Sequence, residues 1–537
     1  MFINSPYYNP YQLSRKAVYA RNGMVASSNP LAAQAGLEIL KKGGNSVDAA
    51  IAVASCLTVF EPTSNGIGGD AFALVWYQGK LYGLNASGPA PREISIEKLK
   101  EQGYKEMPRY GFIPVTVPGV PAAWQELAER FGQLSLKQSM APAIAYAANG
   151  YPVSPTTALN WGITYNIYRQ NLTDREYKEW FRVFAPYNKP PRAGEIWKSE
   201  DHARTLQIIA DSNAAEFYQG CIAEAIDEFS KEHQGFIRKE DLANYKVQWV
   251  KPICINYRGY QVWEIPPNGQ GLVCLLALNI LKGYDNLHPF NDETVHKQIE
   301  AIKLAFIDGL NYITDSAEMK VKVSDLLTDE YAEYRRNMIS DYSLMPLAAD
   351  ENNGGTVYFA TADCEGNMVS YIQSNYMGFG SGLVVPNTGI TLQNRGHTFS
   401  LNPGHINSLK PGKRTYHTII PGFLTKGHHP IGPFGVMGGF MQPQGHLQVI
   451  TNCIDFGMNP QAALDAPRWQ WIKDRIVKVE QRFPHHLIEQ LAARGHQIEV
   501  EHSPTSFGRG QIIWRNPETG ILAGGTESRT DGVIAAW

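Results

Sequence analysis

Thr356 stands directly behind Gly354 and Gly355 and opens the strand-like run "TVYFATAD", which Cys364, Glu365 and Gly366 join to a second run, "NMVSYIQS". A three-residue hairpin loop ends most readily on a glycine in the left-handed region. Setting Asp363 opposite Asn367 and counting outward then pairs Thr356 with Ser374, so two hydroxyls meet at the open end of the hairpin. A threonine hydroxyl is a poor nucleophile without an adjacent base. If the chain is cut before Thr356, the freed α-amine titrates at ~8 and can serve as that base. Self-cleavage by attack of Thr356 on the preceding carbonyl needs a distorted peptide, and Gly355 tolerates distortion best. The same residues also suit a flexible loop entering an edge strand, and Gly-Gly-Thr alone favours that plainer reading.

Other residues of chemical interest are sparse. Six cysteines show no metal-ligand spacing and are expected as thiols. The pairs His428–His429 and His485–His486 lack a carboxylate cluster and read as surface residues, so no metal is expected. "GIGGDAF" and "GPFGVMGG" lack the spacing of a dinucleotide or phosphate-binding fingerprint.

The elements that must hold these residues follow from pattern. In "SSNPLAAQAGLEILKKGGNS", Asn29 suits an N-cap, Pro30 the first helical turn and Gly43 the stop. The apolar run Val47 to Phe60 is too short to span a bilayer, carries Asp48, and reads as a buried helix. Alternating strands follow through "DAFALVWYQGKLYGLN". From about Pro121 to Val323 the pattern is mostly helical, then strands and turns run from Gly355 to about Val449, then helices and a last strand pair near "GQIIWRN" and "GILAGG". Strands grouped beside helical blocks predict layered sheets with helices outside.

With 537 residues, 43 % hydrophobic and 18 % charged, the composition is that of a globular protein able to bury an ample core. The net charge of -3 and the lack of a basic block argue against nucleic-acid binding. The N-terminus carries early proline and polar residues instead of a signal-like apolar run, so the expected location is cytoplasmic, with no membrane partner.

Seven segments, in order, resemble the γ-glutamyltransferase family of N-terminal-nucleophile hydrolases: "GMVASSNPLAAQAGLEILKKGGNSVDAAIAVASCLTVFEPTSNGIGGDAF", "VTVPGVPAAW", "GFIRKEDLANYKVQWVKPICINYRGYQVWEIPPNGQGL", "GGTVYFATADCEGNMVS", "GFGSGLVVPNTGITLQN", "KPGKRTYHTIIP" and "MGGFMQPQGHLQVI". The resemblance implies a four-layer α/β/β/α fold, made as one precursor that cuts itself between Gly355 and Thr356. Residues 1–355 would form a large subunit and 356–537 a small one, remaining together as one compact fold. It implies attack by Thr356 on a small-molecule amide, then transfer of the acyl group to water or an amine, without cofactor or metal. Gly438 and Gly439 match the glycine pair whose N–H groups face the oxyanion; without the resemblance they read as a tight turn between strands. Ser374 matches a threonine that supports the nucleophile; a cross-strand hydroxyl pair of purely structural value is the plainer reading. "PPNGQG", Pro266 to Gly271, resembles a loop near the substrate pocket and equally suits an ordinary turn.

The recognition residues depart from the family pattern. Ser87 stands near the position of the family's carboxylate-binding arginine, Tyr376 where an asparagine is expected, Arg395 for a glutamine and Thr398 for an aspartate. His417 and Thr418 fall where the family has two serines. An arginine gained and an acidic group lost suit an acyl group with a distal carboxylate and no α-amine, while Arg395 equally suits a structural arginine bonding loop carbonyls. Glutathione-hydrolase and glutaryl- or cephalosporin-acylase activities, or an unprocessed non-catalytic relative, all stay open on the sequence.

Overall fold

A computed structural model describes residues 15–289, 291–345 and 355–537. Gly354 and the "PLAADENNG" stretch around it therefore lie outside the described residues. Two antiparallel sheets form the centre. The first runs Val533–Ala536, Gly23–Ser27, Gly355–Asp363, Met368–Tyr376, Asp70–Tyr77, Lys80–Ala86, Gln248–Val250. The second runs Val18–Ala20, Leu522–Thr526, Arg509–Arg515, His429–Met437, Gly422–Lys426, Tyr260–Glu264, Ile253–Tyr257. Both sheets draw strands from before and after residue 355, so neither part of the chain completes a sheet alone.

Alternation along the strands builds the layers. Val357, Phe359, Val369 and Tyr371 join the helices Pro30–Lys41 and Ser46–Phe60 in one core, whereas Tyr358, Ala360, Ala362, Met368 and Ile372 meet Phe423, Met437 and Ile513 between the sheets. The helices Gly271–Leu281, Asp292–Tyr312 and Met441–Ile454 cover the far face of the second sheet, where Leu272, Ile299 and Leu447 pack with Val262 and Phe434. The result is the expected α/β/β/α order. Gly435 lets the sheets approach closely: a Cβ there would lie 2.5 Å from the Tyr358 ring.

Capping matches the sequence. The Asn29 side chain accepts from the Leu31 and Ala32 N–H groups, Pro30 opens the helix, and Gly43 follows it at φ +92°. Every residue of Ser46–Phe60 is buried. Two readings need amendment. The stretch read as mostly helical is so, but it also contains the strands Gln248–Val250, Ile253–Tyr257 and Tyr260–Glu264, the last two forming a hairpin across the turn Arg258–Gly259. The region read as strands and turns up to Val449 already contains the helix Met441–Ile454, whose Pro443 and Gly445 mask its periodicity. Among the described residues, no helix is long and apolar enough to cross a membrane.

Candidate active site

The hairpin that carries Thr356 forms as counted. Gly366 has φ +87°, the Asp363 N–H donates to the Asn367 carbonyl at 3.1 Å, and pairs run from Ala362–Met368 outward to Val357–Gln373. Beyond Val357 the ladder shifts by one, so that Gly355 faces Tyr376. Thr356 is buried, and its hydroxyl donates to Ser374 Oγ at 3.1 Å. Ser374 Oγ also accepts the Tyr376 N–H at 2.8 Å and donates to the Gly355 carbonyl at 2.7 Å. A directed chain thus leads from the threonine hydroxyl, through the serine, to the carbonyl oxygen of the peptide before the threonine. Tyr376 holds φ +75°, an unusual value for a bulky residue, and this backbone turn aims its N–H at Ser374.

Gly355 has a steric role that sequence reasoning did not foresee. A Cβ on it would lie 2.9 Å from the Gly378 nitrogen, 3.1 Å from the Thr63 carbonyl oxygen and 3.2 Å from Ser64 Cα. Only glycine fits between these backbones.

The residues expected to bind substrate gather around an acid that the sequence did not single out. Asp70 begins its strand directly opposite Ser374. Its Oδ2 accepts from Arg395 Nε at 3.4 Å and from His417 Nε2 at 3.0 Å, while Oδ1 accepts the Gly88 N–H at 3.2 Å. The Ile419 N–H donates to His417 Nδ1 at 3.3 Å, which puts the ring proton on Nε2, towards Asp70. Burial, reinforced by the Arg395 charge, pushes the His417 pKa down to about 4, so the ring is neutral above that pH. Arg395 is fully buried, donates from Nη1 to Thr418 Oγ1 at 2.8 Å and lies 4.3 Å from the centre of the Tyr376 ring. Its Nη2 finds no partner among the described residues. Burial pulls the Arg395 pKa below the usual arginine range, with Asp70 opposing. The expected change of charge along this wall is therefore offset by Asp70.

Ser87, at the position of the missing arginine, bonds Asn85 Oδ1 at 2.7 Å and accepts from Asn268 Nδ2 at 3.2 Å. Thr398 caps the short turn of Arg395, donating to its carbonyl at 2.8 Å. Tyr376, Thr398, Tyr416 and Phe440 share the wall of a cavity of about 580 Å³.

Gly438 and Gly439, at φ +137° and +60°, join the strand His429–Met437 to the helix Met441–Ile454. They form a strand-to-helix turn, not a turn between strands. The Met441 and Gln442 N–H groups return to the Gly438 and Gly439 carbonyls at 3.0 and 3.2 Å. A Cβ on Gly438 would lie 3.1 Å from Gly508 Cα, so two backbones are close here as well. His428, His429, His485 and His486 are exposed.

The "Gamma-glutamyltranspeptidase" family model matches residues 32–537. The chain belongs to the γ-glutamyltranspeptidase family. The solved structure of a cephalosporin acylase from Bacillus halodurans is 61 % identical, covers 99 % of this chain and 99 % of its own, and superimposes with a TM-score of 0.96. A glutathione hydrolase-like YwrD proenzyme of Bacillus subtilis (strain 168) is 36 % identical over 96 % of this chain and 99 % of its own length. An oxamate amidohydrolase proenzyme of Klebsiella pneumoniae is 32 % identical over 96 % and 98 %. As a γ-glutamyltranspeptidase-family chain, this protein is an enzyme of a group that hydrolyses or transfers acyl groups.

Proposed function

We propose that the chain is a precursor that cuts itself between Gly355 and Thr356, and that the small subunit 356–537, held to the large subunit 1–355, hydrolyses amides of carboxylate-bearing acyl groups. The observation that carries this reading is the chain of hydroxyls from Thr356 through Ser374 to the Gly355 carbonyl. As Thr356 Oγ1 bonds to the Gly355 carbonyl carbon, its proton passes to Ser374 while the Ser374 proton supports the oxygen taking up charge. The C–N bond then breaks as the proton taken from Thr356 is passed on by Ser374 to the Thr356 nitrogen, which leaves as an amine, and water hydrolyses the resulting ester. In the mature enzyme the same hydroxyl attacks a substrate amide, the free α-amine takes its proton and hands it to the leaving amine, and water or a second amine accepts the acyl group. Gly438 and Gly439 would offer N–H groups to the oxyanion, each such donor supplying ~3 kcal/mol in the transition state. The proenzyme names of the relatives accord with a processed precursor.

Arg395 Nη2, a buried guanidinium donor without a partner, suits a carboxylate on the acyl group. Asp70 is already committed to Arg395 and His417, which leaves it poorly placed to pair an α-ammonium. This favours glutaryl-type acyl groups over γ-glutamyl ones, and because oxamate carries a carboxylate beside its amide, the name of the oxamate amidohydrolase accords with a carboxylate-bearing acyl group. The cavity beside Tyr376 and Phe440 would take the rest of the substrate. Two variants test the processing step: T356A is expected to accumulate as an uncut, inactive chain, and S374A to cut itself on the order of 100-fold more slowly. Cutting of T356A at the parental rate would overturn the assignment.

A further inference from the structure

The loop Pro266–Gly271, which the sequence leaves between an ordinary turn and a pocket element, is fastened to the site by backbone and side chains. The His417 N–H donates to the Asn268 carbonyl at 2.9 Å, and the Gln270 N–H donates to the His417 carbonyl at 3.0 Å. Asn268 Nδ2 donates to the Thr415 carbonyl at 2.8 Å. Gln270 is fully buried. Its Nε2 donates to the Thr418 carbonyl at 2.6 Å and to the Gly439 carbonyl at 2.9 Å, and its Oε1 accepts the Tyr416 hydroxyl at 3.0 Å.

We infer that Gln270 is a positioning residue that holds the Gly438–Gly439 turn in register with the acyl-binding wall. This rests on the oxyanion role proposed for those glycines. Two successive glycines with positive φ restrict their own backbone little, so the direction of their N–H groups must be fixed from outside. The Met441 N–H holds the Gly438 carbonyl, which is coplanar with the Gly439 N–H, while Gln270 from one side and the Gln442 N–H from the other hold the Gly439 carbonyl and so anchor the far end of the turn. Because a primary amide nitrogen has two hydrogens, one atom spans the turn and the segment carrying His417 and Thr418. A movement of either segment is thereby passed to the other. Gln270 lies before the cut and both segments lie after it, so the large subunit sets the geometry of a turn made by the small one.

The test compares Q270E, which keeps the volume but turns a carboxylate oxygen towards the two carbonyls, with Q270A. Hydrolysis of a glutaryl anilide gives kcat and KM, glutarate serves as a ground-state ligand, and a short alkylboronic acid forms a tetrahedral adduct that mimics the transition state. The expected result is a kcat lowered ~10–100-fold with an equal loss of boronate affinity. KM and glutarate inhibition should stay within about threefold. Unchanged kcat in both variants, or equal losses of glutarate and boronate affinity, would overturn the inference. If Q270A does not fold, the Q270E comparison decides alone. An active parent with parental Q270E rejects only the role of Gln270, whereas an uncut parent without amidase activity rejects the Thr356 reading and this inference with it.

Discussion

At the residue scale, Ser374 and Arg395 carry most of the chemical argument. Ser374 saturates its oxygen with two donors and spends its own proton on the Gly355 carbonyl, so it cannot rotate away without losing three bonds. The pairing of Thr356 with Ser374 was legible in the sequence because a three-residue loop with a terminal glycine sets the register of everything beyond it. Asp70 was not legible: its partners Ser374, Arg395 and His417 are brought together only by the strand neighbouring the hairpin, and its setting in "GIGGDAF" offers no local signal. If Arg395 binds the acyl carboxylate, R395A should raise KM for a carboxylate-bearing acyl amide ~10–100-fold while neutral acyl amides change little. Equal effects on both classes, measured by steady-state kinetics on a matched pair of anilides, would remove that role.

At the scale of elements, the start of the Gly355–Asp363 strand is where local sequence and tertiary packing meet. Sequence reasoning attributed Gly355 to tolerance of distortion; the structure adds the close approach of Thr63, Ser64 and Gly378. G355A should therefore push the strand end away from its neighbours, slowing self-cleavage and lowering stability by about 1–3 kcal/mol. The check is a time course of precursor disappearance together with denaturant unfolding of the uncut chain; parental rates and stability would show that the backbones can separate freely. The capped helices were readable because Asn29, Pro30 and Gly43 act on their own neighbours. The strands Ile253–Tyr257 and Tyr260–Glu264 pair with each other across the turn Arg258–Gly259, a local hairpin that the pattern reading passed over, and only the contact of Tyr260–Glu264 with Gly422–Lys426 comes from more than a hundred positions away.

At the scale of the whole molecule, strands from both sides of residue 355 interleave in each sheet, so a cut there should not release either part. Buried histidines set one component of acid sensitivity. Burial pushes the His202 pKa down to about 4, below the ~6.5 of an exposed histidine. Between those values the unfolded chain binds a proton that the folded chain does not, so this site's contribution to stability falls as pH drops from ~6.5 towards 4 and is constant above ~6.5. H202Q cannot titrate there. Its stability deficit relative to the parent should shrink across that window, as followed by thermal midpoints at matched pH; a deficit constant with pH would contradict the assignment.

The central claim is that Thr356 becomes an N-terminus. An intact mass spectrum of the purified protein under denaturing conditions, with N-terminal sequencing of the smaller species, tests it most directly. The expected result is two chains, the smaller beginning Thr356-Val357-Tyr358-Phe359. A single species of 59.7 kDa that stays uncut on prolonged incubation would contradict it.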